Sequence, residues 1–529
     1  MTYTPQMFGA IGDGVADDTN AIILASQAVQ ANGGGRLLFP KGEYLIYKNG
    51  EVYSQAPCVF ESLAGVVVDF SEAVIKVDTD KDWTETNGSF ILFADCTDIK
   101  VIGGSVISPT IPIDGSFYGM EVVSLRGDCM GVDIPYLRIE NCLAGLLVSE
   151  PTTTAGSRNI RVGTLTATSC VYGVNLANSG SNFLMDSMVT DGCGRSLFFY
   201  GVSHIKARVR SRNHRFSADV GIAAIDSNYN EISDIEVSYT NIDSTSVNGG
   251  VGVQLGHSFG ASVAGTISDV RVQLNVAIAG GMGSAFEYSK IDGTGNPDQV
   301  DRGHVLKNLT LSGQVLGAPA TGGQIQLGRN GTIFGAGDTV AEIHLVNLQL
   351  LGVTGAIDAK RIMPSLKGGF FLRDITATGD IDLFGPSDAL TYASNSPSAR
   401  IVVSGVACTN LDSYNGVSGV NAVRRPTLTT SPVTVRLSFR NLGISNSGSG
   451  GTVVYNLPAA TVGLEFEFCQ IGGNAMRIDP NGTEIFRNYM AGKYLQLDSG
   501  SGGTSAMIRC VAAGVWDIIR SNGPTSFEP

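Results

Sequence analysis

The sequence has few charged residues, no long apolar run and no closely spaced cysteine pair. Charged residues make up 16% of 529 positions, too few to cover the surfaces of many amphipathic helices. No apolar run approaches the roughly eighteen residues of a membrane-spanning helix. Residues 1–10 also lack a basic segment followed by an apolar one. We therefore expect no membrane insertion and no Sec-type signal peptide.

The cysteines and the net charge exclude further classes of protein. Nine cysteines form no CxxC pair and their number is odd, which argues against a disulfide framework. No group of residues has zinc-ligand spacing either. The expectation is reduced, buried thiols, with no metal and no cofactor. A net charge of −13, from 35 basic and 48 acidic residues, argues against nucleic acid as a partner, because phosphate contacts need a basic surface.

What the chain has in quantity is glycine, 68 of 529 residues, which supplies many tight turns and favours an all-β protein. Near the start, FGAIGDGVADDTNAI (residues 8–22) concentrates three aspartates, as a metal loop would. A calcium loop needs alternating ligands and a terminal glutamate, and both are missing. The pattern instead predicts a cap at Asp17 to Thr19, a helix over Ala21 to Ala31, a glycine break, and strands within Arg36 to Ile46.

Three cysteines recur at a regular interval. Cys142, Cys170 and Cys193 lie 28 and 23 residues apart, and each is followed by turn-like residues and an apolar strand. A repeat of this length without a helix is typical of one coil of a parallel β-solenoid, in which like residues stack between coils. We predict a buried cysteine ladder and roughly ten coils between Leu37 and about Ser404.

Residues 8–46, FGAIGDGVADDTNAIILASQAVQANGGGRLLFPKGEYLI, resemble the N-terminal signature of the pectate-lyase-like right-handed β-helix superfamily, as found in phage tailspike depolymerases. The resemblance implies an all-β, right-handed parallel β-helix whose N-terminal helix covers one end. The four catalytic motifs of family-28 polygalacturonases and the Asp-Pro-His motif of mannuronan epimerases are missing here, which argues against those two activities.

Three domains are predicted. Residues 1–46 form the cap helix and first strands, residues 47–423 the parallel β-helix with a glycan-processing groove, and residues 424–529 an antiparallel β-sandwich. The last prediction rests on short alternating strands separated by Gly-Ser turns. We expect this C-terminal domain to serve trimerisation or glycan binding, with Trp516 in its core.

The densest group of ionisable and aromatic side chains lies between Gly194 and Val237. In SHIKARVRS, residues 203–211, the alternation places a basic stripe on one face, and salt bridges to Asp234 and Glu236 on the next coil are one explanation for it. Salt bridges do not account for the ionisable and aromatic residues in the turns that follow the stripe. A glycosidase needs two carboxylates about the scissile bond, and the candidate catalytic residues are Asp219, Asp226 and Glu231.

A polysaccharide lyase would use the same region differently. His214 and Tyr229 would act as base and acid, with Arg212 and Arg215 holding a uronate carboxylate. An inserted loop further on supplies a second group, which is either a groove lining or a solvated loop. The substrate-binding candidates over both groups are Arg195, Arg212, His214, Arg215, Tyr229, Glu287, Tyr288, Asp301, Arg302 and His304.

The leading hypothesis is a tailspike-like depolymerase that cleaves a bacterial surface polysaccharide, with glycoside hydrolysis slightly favoured over β-elimination. The alternative from another class is a non-catalytic glycan-binding adhesin or fibre. We expect a homotrimer, a virion or anchor protein as a further partner, and a virion-associated or extracellular location.

Overall fold

The computed structural model describes residues 1–47, 56–78, 87–109, 119–149, 156–176, 180–215, 218–225, 231–243, 250–258, 265–278, 282–291, 303–319, 323–328, 337–353, 355–359, 361–362, 365–383, 400–408, 433–435, 443–445, 451–470, 474–489, 493–498, 504–523 and 525–527. Two compact units are present. The first comprises residues 1–298 and 304–332, and the second comprises residues 299–303 and 333–529. The predicted boundary at residue 424 lies within the second unit.

The first unit contains one α-helix, a short 3-10 helix at Pro5–Phe8 and twenty-five strands among its described residues. They are β1 (Thr2–Tyr3), β2 (Asp13–Asp17), α1 (Thr19–Ala31), β3 (Gly35–Leu38), β4 (Gly42–Ile46), β5 (Cys58–Glu61), β6 (Val66–Asp69), β7 (Ala73–Val77), β8 (Asn87–Ala94), β9 (Thr97–Ile107), β10 (Gly119–Arg126), β11 (Met130–Glu140), β12 (Ala144–Ser149), β13 (Ser157–Thr168), β14 (Tyr172–Leu176), β15 (Gly180–Asp191), β16 (Arg195–Tyr200), β17 (Val202–Arg212), β18 (Ala218–Ile225), β19 (Glu231–Ile232), β20 (Ile235–Asp243), β21 (Val251–Ser258), β22 (Thr266–Ala277), β23 (Ser284–Ile291), β24 (Val305–Leu316) and β25 (Ile325–Leu327).

These strands form two parallel sheets that alternate along the chain, which confirms the right-handed parallel β-helix. The long sheet contains the strands of up to twelve residues, such as β11, β13, β15, β17, β20, β22 and β24, whereas the short sheet contains β5, β8, β10, β12, β14, β16, β18, β21, β23 and β25. Each coil hydrogen-bonds in register to the next. Leu146, Val174, Leu197 and Val220 are register partners on successive coils and are fully buried, so the core is a stack of like residues.

A column of left-handed residues marks the bend at the start of the long-sheet strands. Its members have φ of 53–70° and follow one another in register: Asp98, Gly131, Asn159, Asn182, His204, Asp234, Asp269 and Asn308. Short polar side chains tolerate this conformation and can bond locally. Neighbouring members also bond to each other, as Asn182 Nδ2 does to Asn159 Oδ1 at 2.9 Å. His204 belongs to this column and contacts Asp234 rather than extending the basic stripe.

The three N-terminal aspartates hold the entry to helix α1, as the structural interpretation predicts. Asp13 Oδ1 accepts from the backbone of Val15 and Ala16, and Asp18 accepts from Ile11 and Gly12. One detail differs from the expectation, since residues 13–17 form strand β2 rather than a loop. Within the predicted cap, Asp17 Oδ1 accepts from the amide of Thr19, the first helical residue, at 3.0 Å.

Helix α1 covers the end of the short sheet, where β5 is the edge strand. Gln30 makes a reciprocal pair with the backbone of Glu61 in β5, donating to its carbonyl and accepting from its amide, both at 3.0 Å. Ser26 Oγ donates to the Pro57 carbonyl at 3.0 Å. The helix thus supplies hydrogen bonds that a further strand would otherwise make, and it closes an edge that would be open to pairing with another chain.

The second unit begins with the parallel strands β26 (Thr339–Leu351), β28 (Gly369–Ala377) and β30 (Arg400–Ala407), and with the parallel pair β27 (Gly355–Asp358) and β29 (Asp380–Asp382). Ten further strands follow: β31 (Val433–Thr434), β32 (Gly443–Ser445), β33 (Val453–Asn456), β34 (Glu465–Gln470), β35 (Met476–Asp479), β36 (Ile485–Phe486), β37 (Leu495–Leu497), β38 (Thr504–Ala512), β39 (Val515–Asn522) and β40 (Thr525–Phe527).

The ten C-terminal strands make two five-stranded sheets. Antiparallel pairing is present, as predicted, between β34, β38 and β39 and between β35, β37 and β40. The remaining pairs are parallel, among them β33 with β35 and β32 with β34, so the sheets are mixed rather than purely antiparallel. Trp516 is fully buried, as expected, and its Nε1 donates to Glu484 at 3.0 Å. Over the described residues, no helix is both long and apolar enough to span a membrane.

The contact between helix α1 and the β5 edge leads to a stability prediction. Replacing Gln30 with Ala removes both hydrogen bonds to Glu61, and we expect the free energy of unfolding to fall by about 1–2 kcal/mol. Urea unfolding followed by circular dichroism measures the change. Gln27→Ala is the matched control, since Gln27 is an exposed glutamine on the same helix. Equal stability of the two variants would show that this edge contact contributes nothing.

Candidate functional site

The turn from the long sheet to the short sheet repeats the same local structure on four coils. A left-handed residue, Asn141, Ser169, Gly192 or Asn213, ends the long strand with φ of 53–63°. The following residue points inward. On the first three coils it is Cys142, Cys170 and Cys193, all buried, which confirms the cysteine ladder. On the fourth coil, 21 residues after Cys193, the same position is held by His214.

His214 occupies the fourth rung of this ladder and is 1% exposed. Neither ring nitrogen has a hydrogen-bond partner among the residues that the structure describes. Burial lowers the pKa of His214 from its usual 6.5, and the nearby Asp219 carboxylate opposes the shift. An imidazole has two polar atoms where cysteine has one weakly polar sulfur. His214 is therefore a costly replacement for cysteine in a core position.

Asp219 lies in the same corner of the core and is fully buried. One carboxylate oxygen accepts from the Ser196 amide at 2.9 Å and from its hydroxyl at 2.7 Å, and the other accepts from the Tyr239 hydroxyl at 2.8 Å. Burial and the adjacent carboxylate raise the pKa of Tyr239, so its hydroxyl keeps its proton. Three donors from two other coils thus hold Asp219 inside the β-helix, where it stabilises three neighbouring coils.

The outer side of the short sheet carries an aromatic and arginine cluster next to this corner. Along β16, Leu197 and Phe199 point inward, whereas Arg195 and Phe198 point outward. The Phe198 ring stacks with Tyr172 of the preceding coil, with centroids 6.2 Å apart and planes at 24°. The Arg195 guanidinium lies 4.4 Å from the Phe198 centroid, a cation–π distance. Burial lowers the pKa of Arg195, and Asp219 opposes this.

Gly221 on the next coil makes room for the cluster. It is the register partner of Phe198, and a Cβ at this position would come within 2.5 Å of the Phe198 ring and 3.7 Å of the Arg195 Nη1. Any larger residue would displace the ring. The cluster of Tyr172, Arg195 and Phe198, hereafter the aromatic platform, therefore depends on a glycine one coil away.

Polar side chains continue the same outer column beyond Gly221. Gln254 and Glu287 are register partners on β21 and β23, and Gln254 Nε2 donates to Glu287 Oε1 at 3.1 Å and to Ser289 Oγ at 3.3 Å. On the other side of the platform, Asn175 is the register partner of Phe198. Glu287, Ser289 and Asn175 are buried although they lie on the outer side of the sheet. A polar, sheltered strip with one aromatic platform is thus present along the solenoid axis.

The predicted site residues differ in where they lie, and some of them fall outside the described residues. Arg195 and Glu287 lie on the outer side of the short sheet, as a substrate contact requires. Arg212 is exposed but forms an ion pair with Asp191, and Arg215 is partly buried and donates to the Cys170 carbonyl. Asp226, Tyr229, Asp301 and Arg302 lie outside the described residues, and so does the side chain of Glu231, whose backbone pairs with Thr266.

Four of the predicted residues lie in the interior, against the expectation of an outward groove. Asp219 and His214 face the corner of the core. Tyr288 is 1% exposed and is the register partner of the core residue Leu255. His304 is also buried, and its Nδ1 accepts from the Gly265 amide at 2.9 Å. These positions suit core and turn roles and allow no direct contact with a polymer on the outside.

Sequence reasoning missed Tyr172, Phe198 and Asn175, because they lie in apolar runs that predict a wholly buried strand. The available signal was the phase of LFFYG, residues 197–201, in which Phe198 alternates with the inward Leu197 and Phe199. No group of three or more His, Cys, Asp or Glu side chains within the described ranges is arranged to hold a metal ion.

Comparisons with known proteins give short matches in sequence and long ones in fold. No protein-family model matches the chain. Mannuronan C5-epimerase AlgE1 of Azotobacter vinelandii is 42% identical over 78 residues, which cover 15% of this chain and 6% of that protein. Alginate lyase 7 of the same organism is 38% identical over 77 residues, covering 15% and 9%. The matches thus span less than a tenth of these curated relatives.

Solved structures with a parallel β-helix align over more of the chain. The A-module of the epimerase AlgE6 of A. vinelandii has 16% identity and a TM-score of 0.36, covering 77% of this chain and 99% of the module. An exopolygalacturonase from Thermotoga maritima has 13% identity and a TM-score of 0.39, with coverage of 90% and 91%. These four proteins are polysaccharide-acting enzymes.

The hydrogen bonds of Asp219 predict that its replacement destabilises the fold. Replacement of a residue with a purely catalytic role would leave the stability unchanged. Asp219→Asn replaces one acceptor oxygen with a donor facing another donor, so we expect a loss of about 2–4 kcal/mol in the free energy of unfolding. Tyr239→Phe should cost less, and the double variant should cost less than the sum of the two, because they share a hydrogen bond. Chemical denaturation of all three measures this. A fully stable Asp219→Asn protein would contradict the structural role.

His214 predicts an effect of pH on stability. Because its pKa in the folded protein lies below the usual 6.5, the unfolded chain takes up the proton first as pH falls. Neutral His214 therefore makes its full contribution to the free energy of unfolding above about pH 6.5. Below this pH the free energy of unfolding decreases, by at most about 1.4 kcal/mol per pH unit. His214→Cys, which restores the residue of the other rungs, should show a shallower loss of stability between pH 7 and pH 5. Parallel curves for the two proteins would contradict this.

Proposed function

We propose that this chain binds and processes polysaccharide on the outer side of the short sheet. The observation that carries this proposal is the aromatic platform, with Phe198 stacked on Tyr172 and covered by Arg195, in line with the sheltered polar column of Asn175, Gln254 and Glu287. Aromatic faces pack against the C–H faces of sugar rings, while amides and carboxylates bond to hydroxyls. The repeat of one side chain per coil suits a polymer that runs along the solenoid axis.

More specifically, we propose a tailspike-like depolymerase of a bacterial surface polysaccharide such as a capsule, exopolysaccharide or O-antigen. The N-terminal signature and the separate strands after residue 432 support it. In this proposal the protein works as a homotrimer, attached to a virion or anchor protein, in a virion-associated or extracellular location. Light scattering of the purified protein tests the assembly, and a monomer at working concentration would reject it.

For the chemistry, we propose that the carboxylates come from Asp226, Glu231 and Glu287, since the interior position of Asp219 removes it from contact with substrate. Hydrolysis needs two of them about the scissile bond. The competing chemistry is β-elimination on a uronate-containing glycan. Arg195 favours it, because a guanidinium on the sugar-binding side can neutralise a uronate carboxylate. In this alternative Tyr229 is the remaining candidate for the proton transfer, because His214 is buried.

Digestion of a panel of capsular and O-antigen polysaccharides distinguishes these functions. Chain shortening with new reducing ends and no ultraviolet absorbance from unsaturated uronate means hydrolysis, and Glu231→Gln or Glu287→Gln should then abolish cleavage while binding remains. Shortening with that absorbance means elimination, and Tyr229→Phe should abolish it. Binding of a glycan that is never shortened would mean a non-catalytic adhesin.

The aromatic platform predicts a loss of affinity when its ring is removed. Phe198→Ala should weaken binding of the polysaccharide that the wild-type protein cleaves by about tenfold, or about 1.4 kcal/mol. Phe371→Ala is the matched control, because Phe371 has the same kind of arginine contact, with Arg373 at 4.9 Å, but lies in β28. Isothermal calorimetry with an oligosaccharide of the substrate measures both. Equal losses in the two variants would reject the platform as the binding surface.

A further inference from the structure

A second surface lies on the outer side of the long sheet, over the four consecutive strands β11, β13, β15 and β17. Alternation along these strands sends every second side chain to solvent. Two adjacent columns run across them: one contains Tyr136, Thr164, Ser187 and Arg208, and the other contains Arg138, Thr166, Val189 and Arg210. The second column is in register throughout, whereas in the first a register shift sets two residues of β15 opposite Arg208. We call these eight residues the arginine face.

The arginine face differs from the columns beside it in its charge balance. On one side, Lys100, Asp133, Arg161 and Asp186 form a continuous chain of ion pairs at 2.6–3.5 Å. Arg212 on the other side is paired with Asp191. Both flanks therefore contain ion pairs, as is common on protein surfaces, and the column of Asp191 and Arg212 also contains Glu140, two residues from Arg138.

Inside these flanks, the three arginines lack such compensation. Arg138, Arg208 and Arg210 are exposed, and none of them forms an ion pair within the described part of the chain. Their register partners are uncharged: Thr166 for Arg138, Ser238 for Arg208, and Thr240 and Val189 for Arg210. Asp186 lies at the register shift opposite Arg208 and is paired with Arg161. In a chain of net charge −13, three cations without ion-pair partners in the described residues, two of them neighbours on β17, make a local anion-binding surface.

Lys206 shows that, among the described residues, only some cations of β17 lack an ion-pair partner. It lies on the same strand and the same side as Arg208 and Arg210, yet it is paired with Glu236 at 3.1 Å. The cations along β17 thus fall into two groups: Lys206 is neutralised by Glu236 on the next coil, and the two arginines are not. The inter-coil salt bridges expected for this basic stripe explain Lys206 and leave Arg208 and Arg210 for another partner.

Two exposed apolar side chains complete the surface. Tyr136 is 42% exposed and lies beside Arg138 on β11, whereas Val189 is 37% exposed and lies between Arg138 and Arg210 in their column. Strands are about 4.8 Å apart and alternate residues about 7 Å apart, so Arg138 and Arg210 are about 14 Å apart and Arg208 and Arg210 about 7 Å apart. Guanidinium groups at both ends of this surface, with an exposed phenol beside one of them, match a chain that repeats both carboxylates and sugar faces.

We propose that the arginine face binds a carboxylate-bearing polysaccharide, as a docking surface separate from the aromatic platform on the short sheet. Charge complementarity carries the choice of occupant, because guanidinium groups bond to carboxylates in a bidentate manner. The proposal rests in part on the proposed polysaccharide function and goes beyond it, since this face needs no catalytic group. It would hold an anionic polymer along the solenoid while another stretch occupies the platform.

The test compares two double variants that both keep the fold of β17. Arg208→Gln with Arg210→Gln removes two unpaired charges, whereas Lys206→Gln with Glu236→Gln removes one ion pair and leaves the net charge unchanged. The probes are polygalacturonate oligosaccharides and their methyl esters, which have the same sugars without charge. Surface plasmon resonance measures binding at two salt concentrations, and circular dichroism verifies folding.

We expect wild-type protein to bind polygalacturonate more weakly as salt increases, because ions screen exposed charges, and to bind the methyl esters poorly. The arginine variant should lose at least tenfold in affinity, and the ion-pair variant should match the wild type. Phe198→Ala should retain this binding, which separates the proposal from failure of the aromatic platform. Tyr136→Ala should weaken binding of polygalacturonate and its methyl ester by the same factor.

Three results would overturn the proposal. The first is wild-type protein that binds no polygalacturonate, and the second is an arginine variant that binds as tightly as the wild type. The third concerns a second copy of this chain, whose acidic surface would also suit the arginines: if light scattering finds that the arginine variant dissociates a wild-type oligomer while polygalacturonate binding is unchanged, the arginine face is a subunit interface.

Discussion

The in-register pairing of each coil with the next is the constraint on which the rest of this structure depends. Parallel strands bring each residue within about 4.8 Å of its counterpart on the neighbouring coil, so a residue type that suits one coil is favoured at the same place on the next. The apolar columns, the left-handed column at the bend and the cysteine ladder are three results of this rule. An isolated strand could form none of them.

Interruptions of the stacking show where the coils differ. At the fourth rung of the cysteine ladder, His214 replaces a thiol, and Asp219 enters the core on the following strand. The chain compensates for the buried carboxylate with donors from Ser196 and Tyr239 on two other coils. The histidine has no such compensation among the described residues. These coils therefore contain a polar core directly beneath the aromatic platform, in which the hydrogen bonds of Asp219 stabilise the β-helix.

The two outer faces use the same regular framework for different chemistry. On the short sheet, a glycine at position 221 lets Phe198 and Arg195 lie flat over the next coil, so the surface is sheltered and partly aromatic. On the long sheet, Arg208 and Arg210 stand exposed beside uncharged neighbours. Because both faces have the same axial repeat, each suits an extended polymer. The two faces differ in charge and in the exposure of their side chains to solvent.

Several features were predictable because local rules dominate them. The caps and glycines around residues 13–35 determine helix α1, and the spacing of Cys142, Cys170 and Cys193 indicates both the coil and its interior. The candidate site was less predictable. Asp219 and His214 lie in a stretch rich in polar residues, which resembles a surface turn, and only their partners on other coils reveal that they are internal. Phe198 was hidden for the opposite reason, since it lies in an apolar run.

By itself, the sequence determined the class of fold, the helical cap and the repeating interior, because each depends on residues close together along the chain or recurring at a fixed interval. Only the tertiary structure decided which polar residues are core and which are surface. That decision depends on register between strands twenty or more residues apart, where a shift of one residue exchanges the two faces. The same register brought Arg195 beside Tyr172 and left Arg208 and Arg210 beside the uncharged Ser238 and Thr240.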